Sequence, residues 1–246
     1  MRAALLTIDV VTFTSDNSSC QYMRMATSDR KYRGMSREAR REQRRRQFIE
    51  AGHALFGSEG YQAASVKKLC REAELTERYF YESFKRREDL FAACYDEKLD
   101  LLFTTLLENL TSGTRSVEQI VVDGLLSLFR TLRDDQHMAR ILMIEIYGVP
   151  YDQQRLYERS IGRFSDMLLQ FMQRFLPAPP DDPDVDLELL ATGLVGVCIQ
   201  MAQRWVIKGY RQTPEQLAAN CMLIFRGLGQ QTGLLEQTIS PAFSPA

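Results

Sequence analysis

The chain has 246 residues, 45% of them hydrophobic and 26% charged, an ordinary globular balance with room for one large domain or two modest ones. Net charge is −1, which by itself says nothing about nucleic acid. Five scattered cysteines (Cys20, Cys70, Cys94, Cys198, Cys221) without a CxxC pair argue against a disulfide framework or a zinc site, and fit a reducing cytoplasm. Two distant histidines, His53 and His137, leave little for metal binding or imidazole catalysis, so neither metal nor cofactor is expected.

Charge is unevenly spread. Residues 30–91 hold sixteen Lys/Arg against ten Asp/Glu, whereas the remainder holds fifteen against twenty-two. A basic head on an acidic body is the asymmetry expected when one end meets a polyanion.

In chain order, residues 1–36 read as a disordered N-terminal extension, polar and without sustained periodicity, with a basic DNA-touching arm as the alternative. Met23, Met25 and Met35 are each plausible starts. The apolar patch Ala3–Ile8 is cut by Asp9, too short for a signal peptide. A first helix is predicted over 37–58, with Phe48, Gly52, Leu55 and Phe56 on one stripe and Gly60 as terminator. A second follows the N-cap Ser65 and turns Val66, Leu69 and Cys70 inward; a third spans 77–84 after Thr76; a fourth runs from about 86 to 109. Further helices are expected near 116–132, 135–147, 152–176, 185–208 and 214–230. The cluster Pro177–Pro183 breaks the chain, and Thr213-Pro-Glu-Gln216 is a capping-box start. The stretch 189–203 is fifteen residues, short of the roughly 20 of a membrane span. No segment alternates at period two, so no sheet is expected.

Segment 65–84 reads as a helix-turn-helix. Ala73 is small enough for a close crossing, and Leu75 anchors the turn. Phe80 and Phe84, four apart, face the core, which turns Arg78, Tyr79 and Glu82 outward with Tyr81 on the flank. Arg78 has the reach for a bidentate guanine contact, worth roughly 1–3 kcal/mol of discrimination, and Glu82 is spaced to pair with it. Tyr79 reads equally as a base contact or an exposed aromatic, and Glu77 and Glu82 as solvated faces. The run Arg37, Arg40, Arg41, Arg44, Arg45, Arg46 is either a solvated face or, preceding this motif, a phosphate-reaching one.

The stretch from Arg44 to about Lys98 resembles the TetR-family DNA-binding domain. The resemblance is carried by Ala51, Leu55-Phe56, Gly60-Tyr61, Ala64-Ser65-Val66, Leu69-Cys70, Ala73-Glu-Leu-Thr76, Phe80-Tyr81, Phe84 and Arg87-Glu-Asp-Leu-Phe91. Two departures stand out. Glu74 occupies the turn position that is usually glycine, which requires a left-handed backbone bearing a side chain, and Arg87 replaces the usual lysine. The resemblance implies an all-α fold of about nine helices: a three-helix DNA-binding head (37–91), a ligand-binding and dimerising bundle (92–231) and a flexible tail (232–246). It implies that Ser65, Lys67, Thr76, Tyr81, Lys85 and Arg87 bind phosphates and that Glu77, Arg78 and Tyr79 approach base edges, with Arg44 assigned to the DNA face through the arginine run. The implied partners are a double-stranded, palindromic operator, a small-molecule effector and a second copy docked through the last two helices, with no membrane. Candidate pocket residues are Phe103, Met143, Tyr147, Phe164, Met167, Phe171 and Trp205, each otherwise ordinary core; with no buried charge evident, an apolar effector is preferred. The reading is of a ligand-responsive repressor; the alternative is an all-helical binding protein or enzyme with a vestigial head. No GxSxG, HExxH, P-loop or GxGxxG occurs.

Overall fold

A computed structural model describes residues 36–110, 115–149, 153–175, 185–232 and 238–239. The expected extension, apart from Ser36, the Pro177–Pro183 linker and most of the expected tail lie outside them. Among the described residues the chain forms α1 (Arg37–Ser58), α2 (Val66–Glu72), α3 (Glu77–Ser83), α4 (Arg87–Leu110), α5 (Val117–Asp134), α6 (Gln136–Met143), a 3-10 turn (Glu145–Gly148), α7 (Gln153–Phe175), α8 (Leu187–Ile207) and α9 (Pro214–Thr232). The fold is all-α, as expected. One addition is a two-residue antiparallel ladder joining β1 (Arg115–Ser116) to β2 (Thr238–Ile239), too short for hydrophobic alternation to reveal.

Helix starts follow side-chain capping, each cap worth about 1 kcal/mol. Ser36 accepts from Ala39 N, Ser65 from Lys68 N, Ser116 from Gln119 N and Asp135 from Met138 N. Thr213 and Gln216 form the reciprocal box, at 2.9 and 3.2 Å. Gly60 ends α1 at φ +93°, where a Cβ would lie 2.7 Å from Arg140 Nη2 and 2.8 Å from Glu145 Oε1.

The helix expected over 135–147 breaks at Ile144 (φ −120°, ψ −56°). That break lets the Glu145 carboxylate turn back to Arg140 and to the Tyr61 N–H. One continuous core runs from the head (Phe48, Phe56, Phe80, Leu90, Phe91) through α4 into the body (Leu102, Phe129, Leu132, Ile141). A smaller cluster of Val117, Met172, Ala191 and Leu194 closes the distal end. Helix α8, although 21 residues long and apolar enough to cross a bilayer, packs along α7 and buries Ala191, Leu194, Cys198 and Ala202.

Candidate nucleic-acid interface and apolar cavity

The turn between α2 and α3 is tight because Ala73 and Leu75 N–H groups return to Leu69 and Cys70 carbonyls, both at 2.9 Å. Glu74 takes φ +53°, the left-handed conformation its sequence position demands. Phe80 and Phe84 are buried, and the Phe80 ring meets Phe48 of α1 edge-on at 5.3 Å. Each buried phenylalanine contributes roughly 1.5–3 kcal/mol, so this pair seats α3 firmly on α1.

That seating leaves Arg78 with 83% of its side chain exposed, the Nε held by Glu82 at 3.1 Å. Ser65, Lys67, Thr76, Glu77, Tyr81 and Lys85 are exposed with it. Thr76 occupies the N-cap position of α3 without a side-chain cap bond.

Several assignments need correction. Tyr79 does not point outward: it is half-buried against the core, with the Arg44 guanidinium 4.4 Å above its ring, and Tyr81 is the more exposed tyrosine. Arg87 lies 4.0 Å over the Tyr61 ring and donates to Ala64 O at 3.2 Å, so its charge is held against the scaffold. The Tyr61 hydroxyl donates to Glu88 at 2.6 Å; burial, then that bond, pushes the phenol up to about 12.

The arginine run also divides. Arg41 donates to Glu82 O at 3.2 Å, and Arg45 donates to Ser83 O at 3.5 Å while stacking 4.4 Å over Phe84. Arg44 approaches the Glu82 carboxylate at 3.7 Å, and Arg46 pairs with Glu50 and Glu97. Arg41, Arg44 and Arg45 thus close the C-terminal end of α3, where backbone carbonyls lack helical partners and the dipole favours cations. A sequence signal for this exists: Arg41, Arg44, Arg45 and Phe48 follow helical spacing, so the arginines share the face that Phe48 packs on α3.

A second feature lies in the body. A cavity of about 160 Å³ opens between α4, α5, α6, α7, α8 and α9, lined only by Leu, Ile, Val, Ala, Gly, Met, Phe and Cys. Met143, Phe164, Met167 and Phe171 are in its wall; Phe103, Tyr147 and Trp205 are not. Phe103 is sandwiched between Phe164 and Arg163. Tyr147 is exposed beside Tyr157. Trp205 is fixed by Phe129, Tyr210 and a 2.9 Å bond from its Nε1 to Gln212 O. Val195, Cys198 and Ile199 of α8 and Phe225 of α9 were not foreseen in the wall.

A buried charge does exist, contrary to expectation: Glu145 is 9% exposed, at the junction of head and body rather than in the cavity. Its carboxylate receives Arg140 Nε at 2.8 Å and Tyr61 N at 2.7 Å.

Comparison with known proteins completes this picture. Residues 48–94 match the family described as bacterial regulatory proteins, tetR family. The Transposon Tn10 TetC protein of Escherichia coli is 32% identical over 75 residues, covering 30% of this chain, and the chain spans only 38% of that relative's length. The fold is similar to that of a putative transcriptional regulator from Pseudomonas aeruginosa PAO1 (TM-score 0.64, 21% identity, 81% of this chain and 100% of the other). It is also similar to the transcriptional regulator FadR from Bacillus subtilis, solved in complex with stearoyl-CoA (TM-score 0.63, 16% identity, 73% and 96%). Residues 48–94, which run from the second half of α1 through α2 and the exposed α3 into the start of α4, are thus similar to the tetR family of bacterial regulatory proteins.

Proposed function

We propose that the chain is a ligand-responsive, DNA-binding transcription regulator, a repressor acting in the cytoplasm as a twofold dimer on a palindromic operator. The observation that carries this reading is the pairing of two buried anchors, Phe80 and Phe84, with an exposed Arg78 on the same short helix. Such a helix is built to enter a major groove. Arg78 reads base edges, with Glu77 and Tyr81 beside it. Ser65, Lys67, Thr76 and Lys85 bind phosphates, Arg44 and Tyr79 hold the reading helix in place, and Arg87 braces the segment that leads into α2. The protein works by binding and not by catalysis.

The apolar cavity is the effector site, with Met143, Phe164, Met167 and Phe171 in contact with the ligand. At about 160 Å³ it falls below the roughly 300–1,000 Å³ of a site for a drug-sized molecule, so it takes a small apolar molecule or one apolar segment of a larger one. To relieve repression the effector must bind the DNA-incompetent state more tightly.

Binding of the full-length protein to DNA from upstream of its own gene, followed by footprinting, tests the reading. A protected palindrome is expected, and Arg78→Ala should lose discrimination between operator and scrambled DNA while keeping non-specific binding. Absence of any specific site in genome-wide enrichment with purified protein would refute the function. Equal losses on all sequences for Arg78→Ala would refute its base-reading role.

A further inference from the structure

Helix α3 carries two charged side chains one turn apart, Arg78 and Glu82, and the second holds the first. Glu82 Oε1 accepts from Arg78 Nε at 3.1 Å, and its Oε2 lies 3.7 Å from Arg44 Nη2 of α1. Arg44 is itself fixed, its side chain only 23% exposed and its guanidinium 4.4 Å above the half-buried Tyr79 ring. Arg41 of α1 adds a donation to the Glu82 carbonyl at 3.2 Å. A chain of contacts thus runs from the scaffold through Glu82 to the exposed Arg78, which has no other hydrogen bond or ion pair among the described residues. An exposed pair of this kind adds little to stability, so folding alone does not account for it.

We propose that Glu82 is a positioning residue that makes Arg78 select guanine, an inference that rests on the reading of α3 as the groove-entering helix. Two physical effects carry it. With its Nε engaged by Glu82, the Arg78 guanidinium presents its two Nη groups as a fork. Guanine alone offers that fork two acceptors, O6 and N7, on the major-groove edge. Adenine sets an amino donor beside N7, thymine has one acceptor beside a methyl group, and cytosine presents a donor. The second effect is electrostatic. A free arginine is drawn to the nearest phosphate, a contact that carries no sequence information. The Glu82 carboxylate offsets that attraction and repels the phosphate itself, which leaves Arg78 the short, directional bonds to a base edge. Removing the carboxylate therefore trades discrimination for grip.

The test uses the full-length protein, unaltered and as Glu82→Gln, Arg78→Ala and the double variant, each selecting from a randomised duplex library. Each is then titrated against the enriched duplex, its single-base substitutions and a scrambled duplex at several salt concentrations. The unaltered protein should require guanine at one position in each half-site, and Arg78→Ala should lose that requirement. Glu82→Gln should keep its melting temperature and lower the guanine preference by about tenfold. It should also bind the scrambled duplex more tightly, with the slope of log affinity against log salt steeper by about 1. In the Arg78→Ala background the same substitution should leave the base profile unchanged. Full guanine preference in Glu82→Gln, an equal loss of affinity for every duplex, or the same change in base profile with and without Arg78 overturns the proposal. Failure of the unaltered protein to enrich any motif refutes the regulator reading and the proposal together, so the two failures are told apart.

Discussion

The carboxylate of Glu145 accepts the backbone N–H of Tyr61 at 2.7 Å, joining the body of the molecule to its head through one buried charge. Arg140 reinforces the joint: its Nε reaches the same carboxylate at 2.8 Å and its Nη1 donates to Ser58 O. Gln62 adds a bond to Gly148 O at 2.8 Å. Glu145 stands two residues beyond Met143, which is in the cavity wall, so a displaced α6 pulls directly on the loop that leads into α2. Replacing Glu145 with Ala strands a half-exposed Arg140 and an amide, at a cost of about 1–3 kcal/mol. Thermal unfolding and hydrogen exchange check this. Tyr61 N–H should exchange faster in Glu145→Ala, and unchanged exchange there would show that the joint lies elsewhere.

The arginine run should split by substitution. Arg45 stacks on Phe84 and reaches Ser83 O, so Arg45→Ala should cost about 0.5–1.5 kcal/mol of stability. Arg40 is exposed, and Arg40→Ala should leave the melting temperature unchanged while lowering the slope of log affinity against log salt by about 1. Identical behaviour of the two variants would contradict the division.

Glu74 at φ +53° carries left-handed strain of roughly 1–2 kcal/mol, part of which glycine gives back as unfolded-state entropy. Glu74→Gly should therefore stabilise the protein by about 0.5–1 kcal/mol without altering DNA binding, as read by chemical denaturation and by operator titration. Destabilisation would mean that the turn is not strained.

What is legible in the sequence is what local chemistry decides. Ser65, Gly60 and the Thr213–Gln216 box announce their boundaries, and the four-residue step from Phe80 to Phe84 orients α3 without reference to anything distant. What escapes is tertiary. Tyr79 is only one residue from Phe80, and whether it faces water depends on Arg44 arriving from α1. The roles of Arg41 and Arg45 depend on where α3 ends relative to α1. Hydrophobic periodicity ranks Trp205 and Phe103 with Phe164 as apolar bulk; only the crossing of α5, α7 and α8 determines which of them borders empty space. Glu145 is hidden for the same reason, since its partner amide lies 84 positions earlier in the chain.

His53 supplies a pH dependence. Burial, then the nearby Lys98 charge, lowers its pKa below the ordinary value, and its Nε2 lies 3.3 Å from Cys94 O. A lowered folded-state pKa means that the unfolded chain binds more protons, so stability rises with pH across this window. The contribution is complete above the unfolded value of about 6.5 and declines as pH falls toward the folded one. The fall in melting temperature below that point should be smaller in His53→Gln; an identical profile would remove His53 from the account.

The outer face of α8 bears on assembly. Leu189, Gly193, Gly196, Gln200 and Ile207 follow helical spacing, and Leu189 and Ile207 are 69% and 62% exposed. On α9, Leu223 is 67% exposed and Ile224 43%. A Cβ placed on Gly193 or Gly196 would touch nothing within 4 Å, so none of the described residues covers the stripe there, and small residues let a second backbone come close. The helix begins with Asp186 and Glu188 and ends with Arg204 and Lys208. Two copies crossing antiparallel about a twofold axis therefore bring the acidic start of one against the basic end of the other. Replacing Leu223 with Asp puts an unpaired charge into that face without disturbing the subunit's own core. Sedimentation should show a dimer for the unaltered protein and a monomer for Leu223→Asp with unchanged helicity. The monomer should also lose operator affinity by more than a factor of ten, because the two half-sites are no longer bound together. A variant that stays dimeric, or a monomer that grips the operator as tightly, would place the assembly surface on another face.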